Sequence, residues 1–160
     1  MQTDTPRREW IEKIRRLPAQ LEHVVCDLTD EQLHTPYIEG EWSVAQNVHH
    51  LADSHINSFI RLKLILTEDC PPLKGYDQDS WAEMADERET PISSSLTILR
   101  GLHRRWVMLF ESLQDRDWQR VGIHSESGEM TVHDLLSYYG QHGEGHIEQI
   151  KRSLAAQPSR

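Results

Sequence analysis

Four stretches of this chain repeat apolar residues at alternating spacings of three and four, the period of a helix with one buried face. The first carries Trp10, Ile14, Leu17, Leu21, Val24 and Leu28 over about 6–28, with Pro18 inside it. Proline removes one backbone donor and crowds the preceding turn, so a kink or break is expected there although the register carries through. The second, over roughly 43–67, places Val44, Val48, Leu51, His55, Phe59, Leu62 and Leu66 on one face. The third runs from Thr90-Pro91, read as cap and first turn, to near Leu113, with Leu99, His103, Trp106, Phe110 and Leu113 inward. The fourth, 131–155, aligns Leu135, Tyr139, His142, Gly143, His146 and Ile150. Helix starts are equally legible. Thr29 with Gln32, Ser43 with Gln46 and Thr131 with Asp134 form capping boxes, and Leu28/Leu33 and Met130/Leu135 form hydrophobic staples. Four long amphipathic helices with one short link and two long ones predict an all-α four-helix bundle with long crossover connections, one domain over residues 1–160.

The links carry their own signals. Pro36 ends a short helix begun at Thr29, and Glu39-Gly40-Glu41 reads as a turn. Residues 68–92 are broken by Pro71-Pro72, Gly75 and Pro91, with Tyr76, Trp81 and Met84 as apolar anchors and a short helix expected from Ser80 to Arg88. A crossover of that length inside a compact domain is more often functional, or packed over a site, than idle. Residues 121–130 fit a small hairpin or an open loop.

Composition excludes some functions. A net charge of −9 without a clustered basic stripe argues against nucleic acid, since Arg15-Arg16 and Arg104-Arg105 are only pairs. No apolar run reaches the ~18–20 residues a membrane span needs, and Met1 is not followed by a signal-peptide core, so the chain reads as cytoplasmic. Cys26 and Cys70 form no C-x-x-C motif; they suit a reducing compartment and read as small buried hydrophobes.

The chemistry points to histidine. His142 and His146, at i and i+4, project side by side from one face of the last helix. A buried polar group without a partner costs roughly 1–3 kcal/mol. Spacing alone leaves two readings: a shared divalent cation, or a core pair bonded to Tyr or Glu side chains. Gly140, Gly143 and Gly145 each cost a helix about 1 kcal/mol relative to alanine, which suggests room for a group near the backbone or a close helix contact. A catalytic metal site has three protein ligands, so a third is needed beside His142 and His146. The candidates are His49, His50, His55, Asp53 and His103. Periodicity favours His50, on a polar stripe with Asn47, Ser54, Asn57 and Arg61, or His55 on the core stripe.

Trp42-Ser43, six residues, then His50-Leu51-Ala52-Asp53-Ser54-His55-Ile56-Asn57-Ser58-Phe59-Ile60-Arg61 resembles the second-helix motif of the DinB-like superfamily. Within it the chain is most similar to the YfiT group of metal-dependent hydrolases, a group linked to the bacillithiol S-transferases. The likeness extends to Leu28-Thr29-Asp30-Glu31-Gln32-Leu33, Thr35-Pro36-Tyr37, Thr67-Glu68, Leu102-His103-x-x-Trp106 and the closing His-x-x-x-His. The resemblance implies an up-down-down-up bundle, a homodimer, and a zinc- or nickel-type ion on His50, His142 and His146. The chain departs from the pattern at Gly143 and Gly145, where bulkier residues are expected.

A three-histidine site suits two reactions. Metal-activated water gives a hydrolase; a metal-held thiolate, from bacillithiol or a similar low-molecular-weight thiol, gives a transferase acting on an electrophile. Asn57 and Arg61 are candidates to orient an anionic substrate, and Asp53 and Glu144 are weak candidates for a base. A non-catalytic, metal-binding dimeric scaffold is the rival of another class.

Overall fold

The computed structural model describes residues 4–158, Asp4 by its backbone alone. Met1, at which the sequence was read for a leader, lies outside them. The long helices are α1 (Asp4–Val25), α3 (Val44–Thr67), α6 (Ile92–Glu111) and α7 (Val132–Ala155). Short helices α2 (Asp30–His34), α4 (Gln78–Ala82) and α5 (Ala85–Glu89) sit in the links. All three capping boxes form: Thr29, Ser43 and Thr131 each accept from the backbone three residues on and receive its side chain in return. Each contributes about 1 kcal/mol toward fixing where its helix begins.

Contacts fix the helix directions. Arg7 meets His133, and Lys13 pairs with Glu144, so α1 and α7 run parallel. Asn47 faces His146 and His55 faces His142, so α3 is antiparallel to α7. His49 meets Ser95 and His55 meets His103, so α6 runs parallel to α3. The order is therefore up, down, down, up. Two parallel neighbours cannot be joined by a tight turn, which is why the 68–91 crossover is long.

Several local expectations change. Pro18 stays inside one continuous α1. Thr90 caps the end of α5 rather than the start of α6, whose N-cap position is Pro91 and carries no side-chain cap bond. The single short helix expected over Ser80–Arg88 is two, α4 and α5. Met84 is exposed and anchors nothing; Leu73 and Ala82 are the buried apolar residues there. Cys26 and Cys70 are exposed free thiols, because one lies in the turn closing α1 and the other in the bend after α3. Residues 121–131 form a hairpin, β2 (Val121–His124) with β3 (Gly128–Thr131), and β1 (Pro72–Leu73) adds in parallel to β2. This small sheet ties the crossover to the start of α7.

The core divides in two. One apolar cluster holds Ile14, Phe59, Leu62, Trp106, Phe110 and Leu135; the other holds Leu21, Val48, Leu51, Leu99, Ile147 and Ile150. On α3, α6 and α7 the residues between the clusters include His55, His103 and His142. A layer of imidazoles thus crosses the middle of the bundle. No helix among the described residues is long and apolar enough to cross a membrane.

Candidate metal centre

The capped start of α3 sets the phase of its polar stripe, and that stripe is not a solvated face. Asn47, His50, Ser54 and Arg61 are all buried, pressed between α3, α7 and the crossover. Opposite them α7 presents His142 and His146. One nitrogen from each of His50, His142 and His146 lies within 4.8 Å of the others. The His142 and His146 Nε2 atoms are 3.2 Å apart. Two nitrogens each ~2.0–2.1 Å from a tetrahedral zinc would be roughly 3.3 Å apart.

The outer contacts settle which nitrogen His142 and His146 turn inward. Asn47 Nδ2 donates to the Ser43 carbonyl at 3.0 Å, so its Oδ1 is the atom facing His146. His146 Nδ1 donates to that Oδ1 at 2.8 Å, leaving the Nε2 lone pair free. His142 turns Nδ1 to His55 Nε2 at 3.2 Å and likewise keeps Nε2 for the centre. His50 Nε2 is buried without a hydrogen-bond partner. Burial, and for two of them a neighbouring histidine, push the rings well below their ordinary range: His50 and His142 to about 3, His146 to about 4. Three neutral imidazoles with lone pairs aimed at one point repel one another unless a cation stands between them. The residues fit a divalent metal.

Aromatic rings wall the centre. Trp42 lies 4.7 Å from His50 and stacks on His146 at 6.3 Å, and Tyr138 stacks on His142 at 5.5 Å, centroid to centroid. On the His142 side a cavity of about 190 Å³ opens, lined also by Ser54, Arg61, Tyr76, His124 and Tyr138. Arg61 is buried, donates to the Lys74 carbonyl at 2.6 Å, and keeps its Nε without a partner. Burial pushes the Tyr76 hydroxyl up to about 12, so it stays a neutral donor. His124 Nδ1 accepts from the Glu126 and Ser127 amides at 3.3 Å, which leaves Nε2–H as its free donor. The sequence marked Tyr76 only as an apolar anchor and did not single out His124, since crossover and hairpin residues carry no helical period.

The other candidates fall elsewhere. His49 spans to the start of α6, bonded to Ser95 Oγ at 2.7 Å and the Thr90 carbonyl at 3.0 Å. His55 and His103 lie behind the centre. Glu144 is exposed and paired with Lys13 at 2.8 Å. Asp53 is half-buried, its pKa raised by burial and then by Asp86. Asn57 gives its amide to the Asp53 carbonyl at 2.9 Å and does not line the cavity. Gly140 and Gly143 leave room for α1 rather than for a ligand: a Cβ on Gly140 would lie 2.6 Å from Trp10 Cβ, and one on Gly143 would meet Leu17. Gly145 faces open space.

Fold and centre together define a helical bundle around three converging histidines that could hold a metal ion. The chain belongs to the DinB superfamily, whose pattern matches residues 13–150. It is 48% identical over 145 residues to a Geobacillus thermodenitrificans protein named "Putative metal-dependent hydrolase", covering 89% of this chain and 81% of that one. It is 43% identical over 143 residues to YfiT of Bacillus subtilis, which bears the same description, covering 89% of this chain and 80% of that one. The solved structure of YfiT, described as a probable metal-dependent hydrolase with an unusual four-helix bundle topology, superposes with a TM-score of 0.88 at 40% identity, over 92% of this chain and 85% of that one.

Proposed function

We propose that this protein is a metal-dependent hydrolase acting on a small, anionic substrate. The observation that carries it is the convergence of three neutral histidine nitrogens beside a cavity whose buried polar groups are donors. Imidazole donors suit zinc, and also nickel. A divalent cation held there would supply Lewis acidity, enough to activate water near neutral pH and to polarise a substrate oxygen. His50, His142 and His146 would hold the ion with uncharged nitrogens. The Arg61 guanidinium, with its free Nε, orients the substrate's anionic group, and Tyr76 and His124 donate to its oxygens. Trp42 and Tyr138 would flank the ion with aromatic rings against His50, His146 and His142.

The test incubates zinc-loaded protein with esters and amides carrying a carboxylate or phosphate, beside uncharged analogues. Hydrolysis should vanish on chelation. His50→Ala should lose metal and turnover together, and Arg61→Ala should raise KM for charged substrates alone. A parallel set pairs low-molecular-weight thiols with chlorinated or epoxide electrophiles. Conjugation without hydrolysis would replace this reading with a thiol transferase. A His50→Ala variant that loses only stability, from a parent with no turnover, would make the protein a scaffold.

A further inference from the structure

The chain of contacts behind His142 begins at a defect in α1. In an α-helix the carbonyl of residue 14 accepts from the N–H of residue 18, and here residue 18 is proline, which has none. Pro18 is buried within the continuous helix. The Ile14 carbonyl is therefore left without its helical partner, and His103 Nδ1 of α6 lies 2.6 Å from it. A carbonyl only accepts, so His103 carries its proton on Nδ1. His55 and His103 are 0% and 2% exposed, and a charged ring buried so deeply without a counter-ion is strongly disfavoured, so both rings are neutral. His103 Nε2 must then accept, and His55 Nδ1 donates to it at 2.8 Å. By the same logic His55 Nε2 accepts from His142 Nδ1 at 3.2 Å. What remains on His142 is the Nε2 lone pair, aimed at His146 and the centre.

We propose that Pro18, Ile14, His103 and His55 form a positioning relay that fixes the tautomer of His142 and so presents its Nε2, unprotonated, to the metal. It rests on the metal-centre reading of His50, His142 and His146. Direction is the point of the relay. Were any one ring reversed, every later proton would reverse with it, and His142 would meet the cation with an N–H. His55 and His103 touch neither metal nor substrate; they act through His142. Groups behind metal-ligating histidines fix ring orientation and proton position in this way, and their loss commonly costs 10–100-fold in metal affinity. Here the terminal acceptor is a backbone carbonyl released by a proline three layers away.

The direct test is two-bond nitrogen–proton correlation spectroscopy of the metal-free protein at pH 7.5. His103, His55 and His142 should each show a protonated Nδ1 and a bare Nε2; a bare Nδ1 on His55 or His142 would overturn the relay. That outcome is independent of whether zinc binds, so relay and metal reading can fail separately. Zinc titration then reads the consequence. His103→Leu should weaken zinc binding about 10–100-fold. His103→Gln, which still offers a donor and an acceptor, should recover much of it. Pro18→Ala restores an N–H that competes for the Ile14 carbonyl, and should shift affinity the same way by less while raising the stability of α1. Unchanged zinc affinity in both His103→Leu and Pro18→Ala would refute the proposal. Should His103→Leu fail to fold, the spectra and Pro18→Ala decide.

Discussion

Asn47 and His146 stand on facing helices with Oδ1 and Nδ1 2.8 Å apart, and the Asn47 amide is itself held by the Ser43 carbonyl at 3.0 Å. Ser43 is also the N-cap of α3. The residue that starts the helix therefore also orients, through one amide, a nitrogen at the centre.

Replacing Asn47 by leucine removes the acceptor and leaves His146 free to carry its proton on either nitrogen. Zinc affinity should fall about 10–100-fold, as measured by competition with a chromogenic chelator. Asn47→Asp keeps the acceptor and adds charge, so it should bind zinc at least as tightly as the parent. Equal affinities for parent and Asn47→Leu would show that the contact does not position the ring.

Acid should unfold the metal-free protein well above the pH at which ordinary carboxylates protonate. His50 and His142 are lowered to about 3, and His103 and His146 to about 4, all from 6.5 and chiefly by burial. The unfolded chain then binds protons first as pH falls below 6.5, so stability rises with pH in this window and drains away from about 6.5 toward 4. One unit below 6.5, each ring costs about 1.4 kcal/mol. Glu87, raised to about 8, works in the opposite sense and between pH 7.5 and 5.5 offsets nearly two of the four. Urea unfolding at pH 7.5 and 5.5 should differ by several kcal/mol, a large part of a typical domain's stability. A flat profile would mean the histidines are solvated in solution.

What the sequence made legible was local or periodic. Caps at Thr29, Ser43 and Thr131 are satisfied within three residues, so their pattern is readable without the fold. The i,i+4 pair His142 and His146 needed only helix geometry. The choice between His50 and His55 did not follow from spacing, because both face inward and only the rotation of α3 against α7 separates them. The link from Pro18 to His103 depends on where α6 crosses α1, and no period encodes that, although the missing N–H at Pro18 was there to be read. Cavity residues Tyr76 and His124 come from a crossover and a hairpin joined by β1, a strand of two residues that no pattern announces. The exposed cysteines show the converse failure, a residue preference overridden by position in a turn.

Glu87 is a destabilising charge that pH can switch off. It is 4% exposed, its Oε2 has no partner, and burial followed by Asp53 and Asp86 raises its pKa to about 8. Its folded pKa lies above the unfolded 4.5, so its favourable contribution is complete below 4.5 and lost as pH rises through 8. Glu87→Gln should therefore stabilise the protein at pH 9 by on the order of 1–3 kcal/mol and change little at pH 5. A gain of equal size at both pH values would mean that charge is not the cause.

The glycines of α7 provide a paired test of what they are for. Gly143 is buried against α1, where an added Cβ would collide with the Leu17 side chain; Gly145, two residues on, is exposed and would meet nothing within 4 Å. Were both there to leave room for a ligand, alanine at either would disturb the centre. The packing argues otherwise. Gly143→Ala should force α1 and α7 apart and destabilise by about 1–3 kcal/mol, as overpacked cores do. Gly145→Ala adds only helix propensity and should stabilise by about 0.5–1 kcal/mol. The measurement is denaturant unfolding of the metal-free variants, with zinc affinity read alongside. Opposite signs for the two changes make Gly143 a helix-contact residue and Gly145 a neutral surface position, whereas weakened zinc binding in the stable Gly145→Ala variant would return that glycine to the site.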